Sequence, residues 1–251
     1  MKSEILAGIH PVQEAVRADR REIREIMVAA GKTGRRLAQI EQRARKARIR
    51  VTRASPEALS AITGDLRHQG IAASVGPLPL CELQDVMAST GEARAPFLLL
   101  LDQVLDPHNL GALIRTALCA GVGGIICPRD RAAAPSPAVS RISAGAMEHA
   151  RMVIVTNLVA AIKALQAERF WVAGMDAAGD QSLFKADFTG PLAIAVGGEE
   201  KGLRPLVKKH CDYLVSIPQV SALNSLNASV AGAVAMYEAF RQRQLNRRKE
   251  A

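Results

Sequence analysis

Six short apolar runs in the later part of the chain constrain its fold more than any other feature: Phe97 to Leu101, Gly124 to Cys127, Met152 to Val155, Phe170 to Ala173, Leu192 to Val196 and Tyr213 to Ile217. Each is apolar at nearly every position, so a strand formed from it must be covered on both faces. Segments of helical periodicity separate them, and a crossover helix is what parallel neighbours require. Residues 97–251 are therefore expected to form a mainly parallel α/β sheet with helices on both sides. Such sheets take their ligands at the carboxyl ends of the strands.

The front of the chain differs in charge and in period. Residues 1–80 hold 15 Lys/Arg against 8 Asp/Glu, whereas residues 81–251 hold 18 against 16, so most of the net charge of +9 lies in front. A helix after Pro11, strands at Ile23–Val28, Ile49–Thr52 and Ile71–Val75, a basic helix over Gly34–Ala47 and a short helix after Ser55 predict a small α/β module over residues 1–76. Basic residues are densest between Lys32 and Arg53, where Arg35, Arg36, Arg43, Arg45 and Lys46 face a single acid, Glu41. That patch suits a polyanion, RNA rather than DNA in this reading, although a solvated helix face would look the same. The first Phe, Trp or Tyr of the chain is Phe97, so the module has no aromatic platform for bases. Residues 77–96 mix Pro, Gly, Ser and polar residues with one short helix and read as a linker.

Several classes of protein are disfavoured. No apolar run approaches the roughly 20 residues needed to span a bilayer, and the first residues lack the apolar core of a signal peptide; a cytoplasmic protein is expected. Cys81, Cys119, Cys127 and Cys211 form neither a CxxC pair nor a Cys/His cluster, so they are expected to be reduced, buried and inert, with no metal site. The usual nucleotide fingerprints are absent: Gly121-Val-Gly-Gly precedes a strand instead of following one, and Gly197-Gly-Glu-Glu-Lys-Gly lacks the ending of a P-loop.

Three stretches nevertheless gather polar residues and glycines at predicted strand ends. In Leu101–Ala117, Asp106-Pro107 makes a turn, His108 or Asn109 can cap the next helix, and Leu110, Leu113, Ile114, Ala117 and Leu118 form its apolar face, with Arg115 off that stripe. In Val196–Leu203, glycines permit close approach of the backbone to a ligand, while Glu199 fits a helix start equally well. In Ile217–Val234 a strand ends at Pro218 and a long helix begins near Ser225, with Leu226, Val230, Ala233, Val234, Tyr237 and Phe240 as the predicted buried stripe. Ser225, Asn227 and Ser229 then lie at its N-terminus, as a serine cap with polar neighbours also would.

Taken together, the three stretches closely resemble the signature motifs of the SpoU/TrmH methyltransferases of the SPOUT class, in the same order. The likeness is better in the catalytic half, and it extends forward through GIHPVQEAV and His68-Gln69-Gly70 to members that act on large-subunit rRNA. It implies a trefoil-knotted C-terminal domain that binds S-adenosyl-L-methionine and transfers its methyl group to a ribose 2'-hydroxyl of RNA. By the motifs, Asn109, Arg115, Glu199, Ser225 and Asn227 are the catalytic positions, and Gly197, Ile217 and Leu226 belong to the cofactor loops. The chain departs from the motif at Gln219 and Ser221, where members usually have Met and Gly. A homodimer with a shared active site is also implied. Transfer RNA, another rRNA nucleotide, or a non-catalytic role in ribosome assembly stay open as alternatives.

Overall fold

The computed structural model describes residues 3–64, 66–90, 96–199, 201–220 and 226–250. From the N-terminus run β1 (Glu4–Ala7), α1 (Ile9–Ala18), β2 (Ile23–Ala29), α2 (Arg35–Lys46), β3 (Arg50–Ala54), α3 (Pro56–Thr63) and β4 (Ile71–Val75). Then come α4 (Leu83–Thr90), β5 (Phe97–Asp102), α5 (Pro107–Cys119), β6 (Gly124–Pro128), α6 (Pro137–Ile142), β7 (Met152–Val155) and α7 (Leu158–Ala167). The last are β8 (Trp171–Met175), β9 (Gln181–Ser182), β10 (Leu192–Gly197), α8 (Pro205–His210), β11 (Tyr213–Ser216) and α9 (Ala228–Glu250).

The chain divides into two compact units, residues 1–79 with 135–149, and residues 80–134 with 150–251. This differs from the division read in the sequence. Part of the presumed linker is core of the second unit: Val86 of α4 is fully buried beside Leu98 and Ile126, and the Cys81 amide donates to the Met152 carbonyl. The segment carrying α6, assigned by sequence to the catalytic half, belongs to the first unit.

In unit 1 four strands form a sheet in the order β1-β4-β2-β3, with β2 and β3 parallel and β4 antiparallel to both β1 and β2. Leu6, Val12, Ile26, Val28, Ile40 and Ile71 fill one side, and Leu59 of α3 closes the other with Met27 and Ala72. Ser55 caps α3 by accepting from the Ala58 amide, with Pro56 at its first position. Arg21, almost wholly buried, donates to Glu4 at 2.5 Å and approaches Glu148 at 3.5 Å. Ser140 of α6 donates to the same Glu148 carboxylate at 2.6 Å. Burial pushes the Glu148 carboxyl up, against Ser140 and Arg21, which favour its charged form. At Gly145 (φ +84°) a Cβ would lie 2.9 Å from the His10 carbonyl, so a glycine is needed where this turn meets α1.

Unit 2 is a seven-stranded sheet in the order β7-β6-β5-β10-β8-β11-β9, and every pairing in it is parallel. Strands β5, apolar up to its closing Asp102, and β10 lie next to each other at its centre, all their residues buried. Their register sets Gly197 opposite Asp102, so both strands end at one level. Helix α5 is capped by Asp106, whose carboxylate accepts from the His108 amide at 2.9 Å, rather than by His108 or Asn109. Leu118, expected on the buried face of α5, is 41% exposed. Of the four cysteines, Cys119 is exposed, contrary to expectation; burial pushes the thiols of Cys127 and Cys211 up to about 12.

The largest correction falls on α9. Its buried residues are Ala228, Gly232, Ala235, Met236 and Ala239, with Glu238 held by Arg241 and Gln242. Leu226, just before it, and Val230 and Tyr237 of the predicted stripe are exposed. The sequence has two candidate faces here, one of large residues and one of small ones, and the small face packs on α5 and β10 because Gly232 lets the helix approach: a Cβ there would be 2.4 Å from Leu113.

Candidate active site

Two adjoining cavities open at the carboxyl ends of the central strands of unit 2 and share the wall made by Gly198, Glu199, Lys201, Gly202 and Ala228. The first, of about 260 Å³, is bounded by Met175 at the end of β8 and Asp176 after it, Val196 and Gly197 of β10, and Ile217 and Gln219 after β11. The second, of about 410 Å³, is bounded by Gln103, Val104, Asp106, Asn109 and Arg131.

The shared wall is a turn folded back on itself. The Gly202 amide donates to the Gly198 carbonyl at 3.0 Å, and Gly202 takes a left-handed φ of +60°. A Cβ on Gly197 would lie 2.0 Å from the Gly202 carbonyl carbon, and one on Gly198 would lie 2.4 Å from the Gln103 oxygen. No side chain fits at either position without moving backbone. Gln103 itself has φ +58°, a conformation that non-glycine residues rarely adopt. Asp102, fully buried at the end of β5, fastens the turn from below: its oxygens accept from the Arg204 amide and from Arg204 Nε, both at 2.8 Å. A buried carboxylate is costly unless it is partnered in this way.

Glu199 and Asn227 meet across the wall, with Asn227 Nδ2 donating to Glu199 Oε1 at 3.1 Å. The Asn227 oxygen accepts from the amides of Ser229 and Val230, so the asparagine caps α9. The cap expected at a serine near 225 is thus two residues later. Asn109, 6% exposed, lies in the first turn of α5 with Nδ2 3.4 Å from Asp106. In the first cavity Asp176 pairs with Lys208 and accepts from the Ala178 amide. Burial opposes its ionisation, but Lys208 and that amide outweigh it and hold the carboxyl below the usual carboxylate range.

Of the residues singled out in the sequence, Gly197, Ile217 and Leu226 all line the first cavity, and Asn109 and Glu199 line the second, with Asn227 bonded to Glu199. Ser225 and Ser221 lie outside the described residues, while Gln219 borders the first cavity. Arg115 lines neither; it is exposed on α5, six residues or about 240° around the helix from Asn109. In unit 1, Arg35, Arg36, Arg43, Arg45 and Lys46 are all exposed, at opposite ends of α2. Sequence reasoning missed Asp102, Asp176, Lys201 and Lys208. Asp102 had a signal, a lone acid closing an apolar strand.

Residues 96–237 match the SpoU rRNA methylase family, and residues 5–80 match the substrate-binding domain of RNA 2'-O ribose methyltransferases. The chain belongs to the SpoU rRNA methylase family and is a methyltransferase of that class. A protein of Xylella fastidiosa named 23S rRNA (guanosine-2'-O-)-methyltransferase RlmB is 39% identical over 97% of this chain and 98% of its own. The protein of that name from Ralstonia nicotianae is 40% identical over 96% and 97%. Among solved structures, the SpoU methyltransferase AviRb of Streptomyces viridochromogenes in complex with AdoMet superposes with a TM-score of 0.81 at 27% identity, covering 97% of this chain and 91% of that one. Among the described residues no helix is long and apolar enough to cross a membrane, and no cluster of ligands suits a metal ion.

Proposed function

We propose that the chain transfers the methyl group of S-adenosyl-L-methionine to the ribose 2'-hydroxyl of a guanosine in 23S-type large-subunit rRNA. The observation that carries this reading is the pair of cavities with one shared wall: a donor and an acceptor held on either side of Gly198–Gly202 meet over Glu199. The first cavity fits the cofactor. Its walls are backbone turns and the apolar Val196, Ile217 and Leu226, suited to an adenosine, and the Asp176–Lys208 pair offers both signs of charge to a zwitterionic tail. When bound, the cofactor supplies a methyl on a sulfonium, an electrophile with its leaving group in place.

The chain must then hold the hydroxyl in line and help its proton leave. Asn109 and the Glu199–Asn227 pair are placed to orient a ribose in the second cavity. Arg115 acts as the cation that orients the hydroxyl or its phosphate and stabilises developing negative charge, since guanidinium stays protonated. Its position on the far side of α5 supports action in the cavity of a second copy. Exposed apolar residues on α5 and α9, Leu118 (41%), Val230 (48%) and Tyr237 (49%), support a homodimer through these helices. The trefoil knot of the C-terminal segment and a cytoplasmic location are part of this reading, and unit 1 supplies the RNA contacts.

The test is methyl transfer from labelled cofactor to purified 23S rRNA and to tRNA, followed by nucleoside analysis. We expect 2'-O-methylguanosine in rRNA alone, a drop of roughly 10²- to 10³-fold in turnover for Arg115→Ala, and partial activity for Arg115→Lys. Product in tRNA alone would overturn the substrate, and wild-type turnover of Arg115→Ala would overturn its role.

A further inference from the structure

Unit 1 has no Phe, Trp or Tyr; of its three histidines, His149 lies 3.0 Å from the Glu14 carboxylate, which leaves the rings of His10 and His68. Both lie at one end of its sheet. The register of Ala7 with Ala72, Val28 with Ile71, and Ala29 with Ala54 brings the carboxyl ends of β1, β2 and β3 and the start of β4 to the same edge. His10 follows β1, Lys32 and Arg36 follow β2, and Arg67 and His68 precede β4. The loops are tied together: the Ile9 amide donates to Gln69 Oε1 at 3.2 Å, and the Lys32 stem lies over Gly70, where a Cβ would be 3.0 Å from its Cγ.

Both rings are held by hydrogen bonds. Arg36 can only donate, so His10 Nε2, 3.3 Å from its Nη1, accepts in this contact. His68 Nδ1 accepts from the Gly70 amide at 3.1 Å, which leaves Nε2 to donate to Ser60 Oγ at 3.3 Å. Around them, Lys32, Arg36 and Arg67 are exposed and none has an acidic partner among the described residues, whereas Arg53 nearby is paired with Glu41 at 2.9 Å. The distal cations of α2, Arg43, Arg45 and Lys46, lie about 10–15 Å further along the helix from Arg36.

We propose that this loop end of unit 1 is a site for an unpaired RNA nucleotide, with its base against a histidine ring and its flanking phosphates on Lys32, Arg36 and Arg67. The choice of unpaired RNA follows from the rings: a duplex hides the faces of its bases, and its phosphates alone would give the imidazoles nothing to do. The inference rests on the RNA reading above and narrows it to one end of one sheet.

The experiment measures binding of the full chain to a 23S-type hairpin with an open loop and to a fully paired duplex of the same length, at several salt concentrations. Thermal unfolding of each variant checks that it folds. Lys32→Ala/Arg36→Ala is expected to lower the slope of log affinity against log salt for the hairpin by roughly 1.4, two contacts at about 0.7 each. His10→Ala/His68→Ala is expected to weaken hairpin binding by about tenfold, within the range for lost base stacking, and to leave duplex binding as it was. Equal losses on both RNAs, or none on the hairpin, would overturn the site while methyl transfer by the wild type kept the RNA reading intact. A wild-type chain that neither binds nor methylates rRNA would overturn both.

Discussion

In unit 1 the groups expected to meet RNA are long cations with exposed heads, whereas around the cavities of unit 2 they are glycines, a buried aspartate and short amides. Arg43, Arg45 and Lys46 reach into solvent from a helix whose apolar side, Leu37, Ile40 and Ala44, does all the packing. At Gly197 and Gly198 the nearest backbone leaves no room for a single added carbon. Binding a flexible polyanion tolerates imprecision because Coulomb attraction falls off slowly, but methyl transfer needs oxygen, carbon and sulfur in line. The two units should therefore respond to substitution on very different scales.

The largest effect is expected at Gly197→Ala, which drives Cβ into the Gly202–Leu203 peptide. Cofactor affinity measured by calorimetry should fall by more than a hundredfold, and near-normal binding would mean that the turn yields. Next comes Asp102→Ala, which removes both bonds to Arg204. A loss of about 2 kcal/mol in denaturant unfolding, with weaker cofactor binding, is expected, and an unchanged midpoint would show that Arg204 does not need its partner. A smaller effect should appear with pH. The folded state holds the Asp176 carboxyl below its ordinary value, so its contribution is fully present above about pH 4 and is lost as pH falls through the depressed value. Urea midpoints followed downward from neutral pH should show this loss in the wild type and lack it in Asp176→Asn. Smallest is Arg45→Ala in unit 1. Stability should stay within about 0.5 kcal/mol and the salt slope of RNA binding should drop by less than one; a collapse of binding would contradict the contrast between the units.

Much of this was legible in the sequence where one physical signal dominated. Runs such as Phe97–Leu101 and Leu192–Val196 could only be strands covered on both faces, and they are the central pair of the sheet. The motif residues Gly197, Ile217 and Leu226 converge on one cavity because parallel strands end at one edge. Where two signals competed, the reading failed. Helix α9 carries both a large apolar stripe and a small one, and period alone cannot say which faces the protein's own core. The Asp102–Arg204 bond joins residues far apart in the chain and left no local pattern. Residues 135–149 join unit 1 through Glu148, which meets Arg21, and Gly145, which lies against the His10 carbonyl, both more than 100 positions away in the chain. The strand β1 was too short to show a period.

Cys119 stands one helical turn beyond Arg115 on α5, so the two side chains share a stretch of helix surface. It is the exposed thiol of the four, and Cys127 and Cys211 are held protonated by burial. The native chain thus carries its own attachment point beside the arginine, where a maleimide-linked dye can sit without any substitution. The speed at which that dye attaches, compared between dilute and concentrated protein, reads directly whether this stretch of α5 stays open to solvent or is covered by a second molecule.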